Sequence, residues 1–157
     1  MEGAIADYSK AIDLNSSYAP AYDNRGSLKR AKHDFDGALA DYNRAIELNP
    51  SVEDAYYNRG LVKKEQGDWD GAIIDYNKAI ELKPDDATAY DNRGVAKFYK
   101  NDLGGAAADF NKAIGLDSKD AEAYNNRGNL KRLKGDLDGA LADLTKAVEL
   151  KPDYAPS

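Results

Sequence analysis

A five-residue motif recurs along the chain at a fixed interval. It reads YDNRG at residues 22–26 and returns as YYNRG at 56–60, YDNRG at 90–94 and YNNRG at 124–128. The interval is about 34 residues, within the range of about 20–50 that is typical of stacked supersecondary units. The full repeats span 19–52, 53–86, 87–120 and 121–154, while 1–18 matches the second half of a preceding repeat and 155–157 the start of another. We treat residues 1–157 as a single repeat domain.

Within each repeat, the apolar residues follow a helical period. Ala38, Tyr42 and Ala45 are spaced i, i+4, i+7, which places them on one face of a helix. Gly67 suits the left-handed end of a first helix, and Asp68 suits the N-cap of the helix that follows. Each repeat is therefore predicted to be an antiparallel pair of helices.

These residues resemble the tetratricopeptide repeat, whose pattern is W-x₂-L-G-x₂-Y, then A-x₃-F, then P. The second full repeat has Tyr56-x₂-Arg59-Gly60-x₂-Lys63, then Ala72-x₃-Tyr76, then Pro84. The resemblance covers essentially the whole chain. It implies an all-α fold, a right-handed α-solenoid of stacked antiparallel helix pairs, whose first helices line a concave groove for a partner's peptide segment or helix. We expect nine helices, beginning with a lone second helix at about residues 3–14.

The chain departs from that pattern by carrying arginine and lysine where leucine and tyrosine are usual. An aspartate on the second helix recurs with the same period, and a guanidinium can bind a carboxylate through two parallel hydrogen bonds. We therefore predict structural ion pairs rather than an anion-binding track, with pairing inside one repeat or with the preceding repeat both open. The residues are Arg25, Arg59, Arg93, Arg127, Asp7, Asp41, Asp75, Asp109 and Asp143.

Two sets of residues form a candidate peptide-binding groove. One asparagine per repeat could hydrogen-bond the backbone of an extended peptide or, alternatively, bond a neighbouring helix. Apolar side chains at variable positions of the second and third full repeats are candidate hot spots, and two of them, Phe98 and Tyr99, are expected to point away from the helix-pair core. The groove residues are Asn24, Asn58, Asn92, Asn126, Tyr57, Leu61, Val95, Phe98 and Tyr99.

Two other functions have little support in the residues. Family members that clamp a chaperone's C-terminal carboxylate use lysine and asparagine where this chain has Asp23 and Ser27, so such a clamp is not expected. His33, the only histidine, occupies a turn position that is glycine or asparagine in the other repeats, which indicates positive φ rather than a general base. We expect no catalytic residue, no metal and no cofactor.

Composition narrows the possible partners. The chain has no cysteine, which excludes disulfides, and its net charge of −6 argues against nucleic acid, since phosphate binding needs a clustered basic surface. No apolar run is long enough to span a membrane, and we expect a cytoplasmic protein. The leading hypothesis is a scaffold for a protein or peptide partner. We also expect the chain to be a fragment of a longer array. The alternatives to a scaffold are a structural or self-assembling repeat module whose uncapped ends mediate homo-oligomerisation, and an idealised or engineered array without a partner.

Overall fold

The computed structural model describes residues 1–152 of the 157-residue chain. Within these residues all regular structure is helical, which confirms the predicted all-α fold. The nine helices are α1 (Glu2–Leu14), α2 (Ala19–Ala31), α3 (Phe35–Leu48), α4 (Glu53–Glu65), α5 (Trp69–Leu82), α6 (Ala87–Tyr99), α7 (Leu103–Leu116), α8 (Ala121–Leu133) and α9 (Leu137–Leu150). The expected start of another repeat, 155–157, lies outside the described residues.

The chain consists of two compact units. The first, Met1–Lys83, contains α1 to α5, and the second begins at Pro84 and contains α6 to α9. In the first unit α2 packs against α3 and α4 against α5, and α4 also contacts α2 and α3. In the second unit α6 packs against α7 and α8 against α9, and α8 also contacts α6 and α7. The single domain inferred from the repeats stays a prediction.

The turn between the two helices of a repeat has the geometry that its residues predict. The side chain of Asp68 accepts a hydrogen bond from the backbone N–H of Gly71 at 2.9 Å, which confirms the N-cap. Gly67 has a φ of 78°, and His33 and Asn101 have φ values of 60° and 62° at the corresponding positions. The turn role of His33 is therefore confirmed, since histidine and asparagine tolerate this conformation better than most residues.

Glycine allows the two helices of a repeat to approach closely. A methyl group added to Gly60 would lie 2.8 Å from Cε1 of Tyr76, and one added to Gly94 would lie 2.6 Å from Cε1 of Phe110. Both rings are almost completely buried. The first helix therefore needs a residue without a side chain where an aromatic ring of the second helix packs against its backbone.

In every full repeat, a buried aspartate of the second helix binds two cations of the first. Asp75 is only 1% exposed. Arg59 donates to it from Nε at 2.9 Å and from Nη2 at 2.6 Å, and Lys63 Nζ lies 2.8 Å from Oδ2. Each arginine thus pairs within its own repeat. The other three sets are Arg25 and Lys29 with Asp41, Arg93 and Lys97 with Asp109, and Arg127 and Lys131 with Asp143.

The pKa of Asp143 reflects this pairing. Burial alone raises the pKa of a carboxyl group, because it disfavours the charged form. At Asp143, the hydrogen bonds and charges of Arg127 and Lys131 outweigh burial and hold the pKa below its ordinary value. The carboxylate is therefore the form that the fold stabilises.

Arg59 and Arg127 also contact the preceding repeat, each through Nη1. Nη1 of Arg59 donates to Oδ1 of Asn43 at 2.7 Å, and Nη1 of Arg127 donates to Oδ1 of Asn111 at 2.8 Å. A guanidinium has five N–H donors in one plane, so it can bind an aspartate and an asparagine together. One side chain thus joins both helices of its own repeat to the repeat before it.

Asp7 differs from the other four aspartates. It is exposed, and the ion pair predicted for it is absent from residues 1–152. The reason is the direction of pairing, because each arginine precedes its aspartate by 16 residues. For Asp7, the corresponding position precedes Met1.

Candidate functional site

A cavity of about 340 Å³ lies between α6 and α8 in the second unit. We call it the α6–α8 pocket. One wall is apolar and comes from α6 and the buried ring of Phe110 on α7, while the other is polar and comes from α8. Its lining residues are Val95, Phe98, Tyr99, Phe110, Asn125, Asn126, Asn129 and Arg132.

Helical spacing explains why these side chains meet. Residues three and four apart lie next to each other on a helix surface, and those seven apart lie on the same face. Val95, Phe98 and Tyr99 have the spacing i, i+3, i+4 on α6. The polar residues of α8 follow the same rule, since Asn129 and Arg132 are three residues apart. Two neighbouring first helices therefore turn these faces toward one cavity.

Hydrogen bonds fix part of the polar wall and leave part of it open. Nδ2 of Asn126 donates to both carboxylate oxygens of Asp91 on α6, each at 3.0 Å. Asn125 is buried, and its Oδ1 has no hydrogen-bond partner among the described residues. A buried acceptor without a partner is unfavourable, so a donor that reached this oxygen would be stabilised. The pocket thus combines an apolar wall with an unpaired acceptor.

The structure corrects one expectation about α6. Tyr99 is 62% exposed, as expected for a side chain that points away from the core. Phe98 instead packs against the buried cluster of Ala106, Phe110 and Leu130. Its ring is large enough to reach this cluster from the edge of the helix face, so Phe98 contributes to both the pocket and the core.

The corresponding surface of the first unit is bridged by internal bonds. Nη1 of Arg30 on α2 lies 2.7 Å from Oε1 of Glu65 on α4. These two residues occupy the repeat positions that Phe98 and Leu133 occupy in the second unit. Asn58 donates from Nδ2 to Oδ1 of Asp23 at 3.2 Å. Burial raises the pKa of Asp23, and the bond from Asn58 opposes this only partly.

The predicted groove residues do not all lie at one place. The α6–α8 pocket brings together Val95, Phe98, Tyr99 and Asn126. The others are distributed over three helices: Asn24 is exposed on α2, Asn58, Tyr57 and Leu61 lie on α4, and Asn92 of α6 donates to the carbonyl oxygen of Thr88 at 3.0 Å. The ring of Tyr57 also packs on that of Tyr76, with 5.9 Å between centroids.

Sequence reasoning missed three residues of the polar wall, Asn125, Asn129 and Arg132. They occupy the same variable positions of the repeat as Asp91, Val95 and Phe98. This shared position was the signal that could have identified them. They are not among the predicted groove residues, because that prediction rests on one asparagine per repeat and on apolar side chains.

Other kinds of site find no support in the described part of the chain. Residues 1–152 contain no group of three or more histidine, cysteine, aspartate or glutamate side chains placed to bind a metal ion. None of the helices described is both long enough and apolar enough to cross a membrane.

Comparison with protein families identifies the repeats. Residues 26–67 and 63–100 match the TPR repeat family, and residues 87–120 and 121–154 each match the tetratricopeptide repeat. Together these matches cover most of the chain, which therefore belongs to the tetratricopeptide repeat family, as the resemblance of its motifs predicted. A comparison with curated proteins finds no match.

Solved structures share the fold. A crystal structure of MamA is 22% identical, with a TM-score of 0.88 over 96% of this chain and 88% of that one. MamA from Desulfovibrio magneticus RS-1 is 21% identical, with a TM-score of 0.88 over 98% and 86%. The first TPR of Spaghetti (RPAP3), solved with the HSP90 peptide SRMEEVD, is 22% identical, with a TM-score of 0.74 over 77% and 96%. At these identities the likeness shows the fold alone.

Proposed function

We propose that this chain is a protein-interaction scaffold that binds a peptide segment of a partner at the α6–α8 pocket. The observation that carries the proposal is the pocket itself, with Val95 and Tyr99 opposite Asn129 and Arg132. Ligand sites are typically concave and largely apolar, with a few polar groups that fix orientation. A cavity of about 340 Å³ falls near the lower end of the usual size range and suits one or two side chains of a peptide.

The ligand that fits best has an apolar or aromatic anchor. Phe98 offers ring surface inside the pocket, and Tyr99 adds an exposed ring at its edge. Aromatic contacts at the centre of an interface commonly provide most of the binding energy. Arg132 lies at the end of the polar wall, where a carboxylate beside the anchor could pair with it.

A chaperone tail is a poorer match. The RPAP3 repeats were solved with the peptide SRMEEVD, which belongs to HSP90. Where chaperone-binding family members place a lysine on the first helix, this chain has Asp23, and Asn58 already binds that carboxylate. An acidic tail would therefore meet a half-buried acid at this place, so we favour a ligand with an apolar anchor.

A peptide selection followed by titration tests the proposal. Peptides are selected from a random library on the whole chain, and their affinities are then measured by calorimetry for the parent, Tyr99→Ala and Tyr18→Ala. Tyr99→Ala should weaken binding by about tenfold or more, as expected for a hot spot. Tyr18, another exposed tyrosine, lies outside the pocket, so its variant should bind like the parent. Equal affinities for all three chains would contradict the proposal.

Self-association is a second candidate, supported by one observation on α9. Its outer face exposes Leu137, Leu141 and Val148, and a shallow depression of about 370 Å³ is lined by Leu141, Leu144, Thr145, Val148 and Glu149. Contiguous apolar surface of this kind commonly marks an interface. Sedimentation velocity at increasing concentration should then show a dimer that Leu141→Lys abolishes. A parent chain that stays monomeric would exclude this candidate.

A further inference from the structure

A further cavity, of about 240 Å³, lies between α7 and α8 in the second unit. We call it the α7–α8 pocket. It lies on the opposite side of α8 from the α6–α8 pocket and shares none of its lining residues. Both of its helices are interior to the chain, since α6 precedes them and α9 follows them. The lining residues are Ala107, Asn111, Arg127, Leu130, Lys131, Lys134 and Asp136.

A comparison within the chain shows which group this pocket lacks. In the first unit, α3 and α4 pack against each other as α7 and α8 do in the second. There Leu39 of α3 packs against the buried cluster that contains Val62 of α4. Leu39 corresponds to Ala107, and Val62 corresponds to Leu130. The α7–α8 pocket is therefore open at the repeat position where a leucine side chain packs in the first unit, and an aliphatic side chain of that size suits it.

The second difference from the first unit is an added cation. Lys134 occupies the repeat position of Gln66 and is exposed. Arg127, Lys131 and Lys134 are spaced i, i+4, i+7 on α8, so all three lie on one face of the helix. Arg127 and Lys131 pair with the buried Asp143. Within residues 1–152 the side chain of Lys134 has no hydrogen bond or ion pair, so its charge is available to a ligand.

The other polar groups around the pocket are held in place by bonds of their own. Nη1 of Arg127 on α8 donates to Oδ1 of Asn111 on α7 at 2.8 Å. Asp136 is the one carboxylate among the lining residues described, and it accepts a hydrogen bond from the N–H of Gly139 at 3.0 Å as the N-cap of α9. A ligand carboxylate beside Lys134 would form a charge-assisted hydrogen bond, which is among the stronger kinds.

We propose that the α7–α8 pocket binds a peptide segment of a partner protein in which a leucine stands next to an acidic residue. The leucine side chain occupies the space beside Ala107, as Leu39 does between α3 and α4. The neighbouring carboxylate pairs with Lys134. Ligand sites typically combine apolar surface with a few polar groups that fix orientation. The site is independent of the proposed function, because the opposite face of α8 lines it.

Three capped peptides test the ligand chemistry by NMR titration into the whole ¹⁵N-labelled chain. The probe is Ac-Glu-Leu-Glu-NH₂. Its matched controls are Ac-Glu-Ala-Glu-NH₂, which lacks the leucine side chain, and Ac-Gln-Leu-Gln-NH₂, which lacks the carboxylates. The probe should shift the signals of Ala107, Asn111, Leu130 and Lys134. Each control should bind about tenfold more weakly, because one of the two contacts is lost.

Variants that copy the first unit complete the test. Ala107→Leu should abolish the shifts without lowering Tm, because it puts into the pocket the side chain that Leu39 provides between α3 and α4. Lys134→Gln, which copies the glutamine of the first unit, should weaken binding of the probe about tenfold. The matched controls Ala108→Leu and Lys10→Gln change exposed residues outside the pocket, so they should bind the probe like the parent.

Four results would overturn the proposal. The first is a titration in which the probe shifts no signal of the α7–α8 pocket, or only signals of the α6–α8 pocket. The second is equal affinity of Ala107→Leu and the parent, and the third is equal affinity of Lys134→Gln and the parent. The fourth is a parent dimer that Ala107→Leu converts to a monomer in sedimentation velocity, which would make a second copy of the chain the occupant.

Discussion

Replacing Arg59 by leucine restores the usual residue of the tetratricopeptide pattern, yet we expect it to destabilise the chain. Asp75 would keep Lys63 but lose the two hydrogen bonds from Nε and Nη2 of Arg59. Hydrogen bonds to charged groups contribute about 1.5–3 kcal/mol each. A buried leucine recovers about 1.5–3 kcal/mol through its apolar surface. The net loss should be about 1.5–3 kcal/mol, because a buried carboxylate is left with half of its partners.

Thermal unfolding followed by circular dichroism measures this loss. For a chain of this size, about 1.5–3 kcal/mol corresponds to a fall in Tm of roughly 3–12 °C. The matched control is Arg44→Leu, because Arg44 forms an ion pair with Glu47 on the surface of α3, at 3.0 Å and with both side chains exposed. Exposed pairs contribute little, so the control should shift Tm much less.

A double-mutant cycle with Asp75→Asn separates the ion pair from the loss of packing. If Arg59 acts through Asp75, the double variant is more stable than the sum of the two single losses implies, by about 1 kcal/mol or more. Strictly additive losses, or an Arg59→Leu variant as stable as Arg44→Leu, would refute the reasoning.

Three further predictions concern the backbone and two buried acids. Gly67→Ala should lower stability by about 1 kcal/mol, because the φ of Gly67 is 78°. Gly115→Ala also has free space for the added methyl group but lies within α7, so it should raise stability by about 0.5–1 kcal/mol. If urea unfolding gave both changes the same sign, the prediction would be wrong. The pKa of Asp143 lies below its ordinary value, so its stabilising effect is fully present above the unfolded-state pKa of about 3.9 and is lost as pH falls through the lower folded-state pKa. Between about pH 5 and pH 2, the free energy of unfolding should therefore depend less on pH in Asp143→Asn than in the parent. Burial raises the pKa of Tyr76, so the contribution of its neutral phenol to stability is present below about pH 10 and is lost as pH rises through the higher folded-state pKa. The absorbance difference between the parent and Tyr76→Phe should show this phenol ionising only when the chain unfolds, and not near pH 10 in the folded chain.

The fold was predictable because its signals are local. The spacing of Ala38, Tyr42 and Ala45 marks a helix face, and the pair Gly67 and Asp68 marks a turn followed by an N-cap. Neither signal depends on residues far away in the chain. Repetition then strengthens each of them, since the same residues return in every repeat.

The pairing of the arginines could not be settled from the sequence. An aspartate that recurs with the period of the repeat is equally available within one repeat and from the repeat before it. Only the structure shows that Arg59 binds Asp75 of its own repeat, and that its contact with the preceding repeat is to Asn43 rather than to an aspartate. Two partners of different chemistry share one guanidinium, and spacing alone does not reveal that.

The candidate site was predictable only in part. Val95 and Tyr99 were expected from apolar character at variable positions, and they do line the α6–α8 pocket. Arg132 was missed because its role depends on which helix faces α6, and the equivalent Arg30 is held in an ion pair with Glu65. The role of one repeat position therefore depends on the residues that surround it in the structure, and aligning the four repeats does not reveal those neighbours.

An NMR titration of the whole ¹⁵N-labelled chain with a library-selected peptide tests the central claim most directly. The proposed function predicts that shifts cluster at Val95, Tyr99, Asn129 and Arg132, and that they disappear with the same peptide after its apolar anchor is replaced by alanine. A peptide that binds with shifts confined to the outer face of α9, or that keeps its affinity without the anchor, would contradict binding at the α6–α8 pocket.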